Sequence, residues 1–300
     1  MWVPVDKATL ATMYEESSDE KTLCGTTGET AVKTKMYSKT ITIGTDTNKE
    51  TMTRTTPGTS SGYREPDLVV GSDGAKYDAK DTYYKTILGE TGTKEQLAQL
   101  FVDEYKAMIE SVSKYGGFYI GRYELSKAGV QKDKATLTKT NWYNLYKKCK
   151  ELNASDKVKT QMIWGCQWDV TMNWLISSGA KTSDEVNTDS SSWGNYYATS
   201  VKADDGTTDI KASKKSAKLN TGVTTFTMAN NIYDLAGNVW ELTQEAYNTF
   251  FRAYRGGSYN ISGSSNPASY RYGGGPSDSN YVNWRFSSHF NNKVILDTRA

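Results

Sequence analysis

Residues 93–125, TKEQLAQLFVDEYKAMIESVSKYGGFYIGRYEL, leave this part of the chain few choices. Leu97, Phe101, Tyr105, Met108 and Val112 recur at helical spacing, so one apolar stripe must face a core. Thr93 and Gln96 stand where a capping box needs them, and Gly116 and Gly117 end the pattern. Phe118 and Ile120 then alternate with Tyr119 and Gly121, the period of a strand. A helix running through two glycines into a strand packed on it is an α+β unit.

Two more helices are predicted. In NWYNLYKKCKEL (141–152), Trp142, Leu145, Tyr146, Cys149 and Leu152 form the apolar face. In CQWDVTMNWLISSG (166–179), Trp168, Met172 and Leu175 face inward and Gly179 is a C-cap. Residues 1–90, rich in Thr, Gly, Lys and Asp, read as short strands with long polar loops, or as partial disorder. Residues 181–225 read as a long loop region draped over the fold. No solenoid repeat and no clean linker is visible, so a single domain over 1–300 is expected.

Composition narrows the function. The 36 basic and 34 acidic residues are evenly mixed, which argues against nucleic acid or an anionic membrane surface as partner. No apolar run approaches the length of a membrane span, and no signal-peptide pattern opens the chain. Cys24, Cys149 and Cys166 have no metal-like spacing; Cys149 and Cys166, on helical patterns, are expected to be buried free thiols. The one histidine, His289, rules out a histidine-rich metal centre, and a catalytic triad or Cys–His pair would have to run through it. In the strand-like run FSSHF it reads as structural or exposed. Twenty-one Tyr and eight Trp point instead toward a binding surface.

The turn YDLAGNVWELT (233–243) carries the most specific local signal. Asp234 and Glu241 flank a tight turn holding Gly237 and Asn238. Such a turn either aims carboxylates and carbonyls at a hard cation such as Ca²⁺, or is an Asp/Asn-rich turn beside a surface Glu.

Four phrases, GGFYIGRYE, WGCQWDVTMNWL, NIYDLAGNVWELT and RGGSY, together with the opening WVPV, resemble the formylglycine-generating enzyme (sulfatase-modifying factor) family in order and rough spacing. The resemblance spans nearly the whole chain. It implies an α+β, C-type-lectin-like fold: a small antiparallel sheet, two or more helices and extensive loops. It also implies a structural Ca²⁺ held by the side chains of Asp234 and Glu241 and the carbonyls of Gly237 and Val239. The family's catalysis uses two cysteines after the GGS strand, which bind copper as thiolates. The corresponding stretch here, YNISGSSNPASYRY, contains none, so no copper and no enzyme activity are expected.

That stretch belongs to an unusual segment. From Tyr259 to Trp284, 18 of 26 residues are Tyr, Ser, Gly or Asn, the mixture that paratopes use for rigid aromatic contact and adaptable hydrogen bonding. Turn chemistry explains the Gly, Ser and Asn but not the tyrosines. RGGSY (255–259) also resembles the strand that opens the variable segment in proteins diversified by retroelements, which share this fold. The resemblance implies a variable ligand-binding region over 254–290. Its exposed, variable positions would be Tyr259, Ile261, Ser264, Tyr272, Gly273, Asp278, Asn280, Tyr281, Asn283 and Trp284. Arg255, Gly256, Gly257, Arg271 and Arg285 would be scaffold, and PASYR a fixed island containing Tyr270. The implied partner is a protein or glycan on a cell or phage surface, and the implied setting a bacterial surface or virion. Two alternatives stand beside this reading: a formylglycine-type oxidoreductase, and a fixed-sequence structural protein of a prophage or surface organelle.

Overall fold

The structure is a computed structural model that describes residues 1–13, 16–24, 32–37, 65–69, 81–152, 158–248, 251–276, 290–291 and 294–298. Its first half holds β1 (Trp2–Pro4), α1 (Lys7–Met13), β2 (Glu16–Cys24), β3 (Val32–Tyr37), α2 (Asp81–Leu88), α3 (Lys94–Tyr115), β4 (Gly117–Ile120), β5 (Leu125–Ser126), β6 (Gly129–Val130) and α4 (Trp142–Glu151). Next come β7 (Val158–Met162), α5 (Gly165–Ser177), α6 (Ser183–Asn187), β8 (Val201–Lys202), β9 (Asp209–Lys211), β10 (Met228–Ala229) and β11 (Ile232–Tyr233). The remaining strands are β12 (Trp240–Ala246), β13 (Arg252–Arg255), β14 (Arg271–Gly274), β15 (Phe290–Asn291) and β16 (Val294–Thr298). The architecture is α+β with small, mostly antiparallel sheets. One four-stranded sheet runs β1-β4-β16-β7, and a second runs β14-β13-β12-β15 with β15 parallel to β12. No described helix is long and apolar enough to cross a membrane.

Helix α3 forms as its sequence demands. Thr93 and Gln96 close the capping box in both directions, and Gly116 ends the helix in the left-handed region at φ 73°. Its buried stripe serves two hydrophobic clusters. Leu97, Phe101 and Val102 pack with Trp142, Tyr146, Trp240 and Tyr254, while Tyr105, Met108 and Val112 pack with Val3, Phe118, Trp164 and Trp168. A polar clasp also ties α3 to α4: Glu104 accepts from the Tyr146 hydroxyl at 2.6 Å and from Lys150 at 2.5 Å. Burial, then the Glu104 carboxylate, holds the Tyr146 hydroxyl well above the usual phenol range.

Helix α5 is buried almost all round, so Gln167, Asp169 and Thr171 need internal partners. Its N-terminus begins at Trp164, whose indole has no oxygen with which to accept from the first free amides. Glu65 supplies the acceptor from far along the chain: Oε1 takes the Gly165 amide at 2.6 Å, and its carboxylate sits at the positive end of the helix dipole. All five described residues from Glu65 to Val69 are buried.

Several expectations need correction. Helices α1 and α2 occupy the region read as strands and loops. Residues 181–225 contribute to the interior instead of draping over it: Trp193 and Tyr196 are buried there, as is Lys211. The Lys211 ammonium donates to the carbonyls of Tyr196 and Thr199 at 2.7 and 2.6 Å, which explains how a polar stretch folds inward. Leu152 is only half-buried.

Candidate binding face

Strands β12, β13 and β14 lay aromatic rings side by side. Tyr254 on β13 is directly opposite Tyr272 on β14, and the two rings are 5.7 Å apart. Beneath them Trp240, fully buried, meets Tyr254 edge-on at 4.7 Å and Tyr270 at 5.8 Å. Tyr270 and Tyr272, two residues apart, hold their rings within 14° of parallel at 6.2 Å, and Tyr247 flanks Tyr272 at 5.7 Å. The cluster thus runs from a core tryptophan out to Tyr272, which is 47% exposed.

Charge next to these rings is neutralised. Arg271 donates to Glu245 through Nε at 2.7 Å and pairs through Nη2 at 2.5 Å, while its guanidinium lies 4.6 Å from the centre of the Tyr247 ring. Glu245 is fully buried, so its carboxylate is presented to Arg271 and not to solvent. The exposed edge therefore offers aromatic rings and small polar groups without an open charge among these residues.

The loop between β13 and β14 hangs from a closed frame. Arg255 is fully buried and paired with Asp169 of α5. Gly256 and Gly257 follow at φ 88° and 81°, in the left-handed region. A Cβ on Gly256 would fall 2.6 Å from Glu241 Oε2, and one on Gly257 would fall 2.5 Å from the Asn266 carbonyl oxygen. The segment Pro267–Ser269 is buried and pinned, with the Ala268 amide donating to Ser190 Oγ at 2.9 Å and its carbonyl accepting from the Trp168 indole at 3.1 Å. The scaffold residues Arg255, Gly256 and Gly257 and the island around Ala268 are thus inside, while Arg271 is half-buried on Glu245.

The ten nominated positions are distributed unevenly. Ser264 and Tyr272 are exposed, and Tyr259 is half-buried with its amide on the Asn238 carbonyl at 3.0 Å. Ile261 is a correction: its side chain packs against both hydrophobic clusters, because an aliphatic chain among serines finds the nearest apolar surface. Gly273 is a second correction, since a Cβ there would collide with the Tyr247 ring. Asp278, Asn280, Tyr281, Asn283 and Trp284, with Arg285 and His289, lie outside the described residues.

The turn 233–241 is buried throughout, which corrects the alternative of a surface Glu. Asp234, Gly237 and Asn238 all have positive φ. Asp234 Oδ2 accepts from the Thr221 hydroxyl and the Gly222 amide, both at 2.9 Å. Glu241 is fully buried, one strand over from Arg255. Asn238, which had no assigned role, is the polar hub. Its Oδ1 accepts from Asn195 Nδ2 and the Leu219 amide, both at 3.0 Å, and its Nδ2 donates to the buried Glu124 carboxylate at 2.7 Å. In the sequence the available hint was its place beside Gly237, two turn-forming residues in succession. No group of three or more His, Cys, Asp or Glu that could hold a metal occurs among the described residues. Cys149 and Cys166 are buried thiols not joined in a disulfide, and burial pushes the Cys149 thiol up, away from reactive thiolate.

No protein-family model matches the chain. No curated protein matches it either. Among solved structures, Treponema denticola variable protein 1 aligns over 94% of this chain and 100% of its own, at 15% identity and a TM-score of 0.31.

Proposed function

We propose that this protein is a non-catalytic binding protein: a C-type-lectin-like frame displaying a variable ligand-binding region over residues 254–290, of the kind that retroelements diversify. The observation that carries the reading is the contrast within one short segment. Arg255, Gly256, Gly257 and Ala268 are locked inside, whereas Ser264 is exposed and Tyr272 is 47% exposed on an aromatic base anchored in the core. A surface that must accept many sequences needs this division, with variable side chains on a frame that does not depend on them. The partner class is a protein or glycan on a cell or phage surface, recognised by aromatic and small polar groups.

Two measurements test it together. Ser264→Asp is expected to shift folding stability by no more than about 0.5 kcal/mol and Tyr272→Ser by about 1 kcal/mol, whereas Ala268→Asp costs about 3 kcal/mol or more. In the genome, the region coding 254–290 is expected to have a near-copy differing at adenines, beside a reverse-transcriptase gene. An identical segment in many isolates with no such copy sinks the reading.

The same reading includes one structural Ca²⁺, held by Glu241, the carbonyls of Gly237 and Val239, and the Asp234 oxygen that Thr221 and Gly222 leave open. Oxygen ligands of this kind suit calcium. Saturating Ca²⁺ at one hundred times its dissociation constant is expected to add about 2.7 kcal/mol of stability over the chelated protein. A melting temperature that calcium and chelator leave unchanged removes the metal from the proposal.

A further inference from the structure

Away from the aromatic face, the β5–β6 hairpin, the last turns of α4 and strands β4 and β7 enclose a cleft of about 680 Å³. An adjoining hollow of about 470 Å³ shares Lys127, Lys148 and Glu151 with it. The volume lies in the range of small-molecule sites. Val130 and Leu152 line the cleft with apolar surface, while the side chains of Arg122, Lys127 and Lys148 bring three cations against the one carboxylate, Glu151.

Arg122 and the turn that carries Lys127 are fixed by neutral partners. Arg122 lies over the Tyr123 and Tyr233 rings at 5.6 and 6.0 Å, and its Nε donates to the Asn231 carbonyl at 3.0 Å, so its position is set by neutral partners. Lys127 rides a turn fixed from within: Ser126 Oγ donates to the Gly129 carbonyl at 2.7 Å and accepts from the Ala128 amide at 3.1 Å. Neither Lys127 nor Lys148 has an anionic partner among the described residues. The helix dipole accounts for Lys148 in the last turn of α4, but it does not account for Lys127, which comes from a hairpin and faces the same cleft.

We propose that this cleft is a second binding site, for a small organic anion whose charged group sits between Lys127 and Lys148 and whose apolar body rests on Val130 and Leu152. The site is independent of the variable face. Isothermal titration of the whole protein with 1-naphthyl phosphate, 1-naphthalenesulfonate, 1-naphthoate and the neutral 1-naphthol tests it. At least one anion is expected to bind with a dissociation constant of about 10 µM to 1 mM and at least tenfold more tightly than 1-naphthol. The strongest of the three identifies the anionic group. Added salt weakens the binding, because the pairing charges are partly solvated. Lys127→Gln with Lys148→Gln should weaken it at least tenfold with the melting temperature unchanged, whereas Glu151→Gln should tighten it. Failure of all three anions to bind at millimolar concentration, equal affinity for 1-naphthol, or indifference to the lysine substitutions overturns the proposal.

Discussion

Arg255→Met is expected to lower folding stability by about 3–5 kcal/mol, read from the midpoint of urea unfolding. The pair it breaks lies wholly inside: the side chains of Arg255 and Asp169 are both 0% exposed, and they join β13 to α5. Two buried charges that face each other offset much of their desolvation; one left behind does not. The size of the loss therefore reflects the stranded Asp169 carboxylate as much as the lost attraction. Asp169→Leu combined with Arg255→Met removes both charges and should recover most of the loss, since apolar pairs of similar volume often replace buried ion pairs without penalty. A single substitution within about 0.5 kcal/mol of the parent would show that the pair does not hold the frame.

Trp142→Ala is the other large effect, at about 3–5 kcal/mol. Trp142 is fully buried at the meeting point of three elements. It stacks on Tyr146 at 5.2 Å and 20°, meets Phe101 edge-on at 5.9 Å, and donates from its indole to the Thr243 carbonyl at 2.8 Å. The Arg252 guanidinium lies 4.4 Å from its ring centre and also donates to the carbonyls of Asp67 and Gln244 at 3.1 and 2.8 Å. Truncation thus opens a cavity, orphans a backbone acceptor and removes the nearer of the two aromatic rings beside a buried cation, the other being Phe101 at 5.2 Å. A double-mutant cycle with Arg252→Met should give a coupling of about 1–2 kcal/mol, the contribution of a desolvated cation–π contact. Additive losses would mean the guanidinium gains nothing from the Trp142 ring.

What could be read in the sequence was whatever neighbouring residues decide among themselves. The stripe and cap of α3, the apolar face of α4 and the alternation of β4 rest on contacts within a few residues, and all three stand in the structure. The ends of α3 could be placed because Thr93 and Gly116 act locally. What could not be read depends on distant partners. Glu65 reaches Gly165 across 100 positions, Asn238 reaches Glu124 across 114, and neither carboxylate announces its burial in a polar stretch. Lys211 sits among residues that look like solvent-exposed loop, and the carbonyls of Tyr196, Thr199 and Lys215 explain why it is inside. Ile261 and Gly273 were misjudged for a related reason: in a run of Ser, Gly and Tyr there is no period to reveal which positions lie against neighbouring side chains.

The β1-β4-β16-β7 sheet carries a last consequence. Strand β16 lies between β4 and β7 and pairs with both, yet it follows the Tyr- and Ser-rich segment in the chain. A premature stop codon or a shifted reading frame within that segment would deprive β4 and β7 of the strand that joins them and expose their edges to aggregation. The sheet is therefore complete only once translation has run through β16, after the whole of that segment has been made.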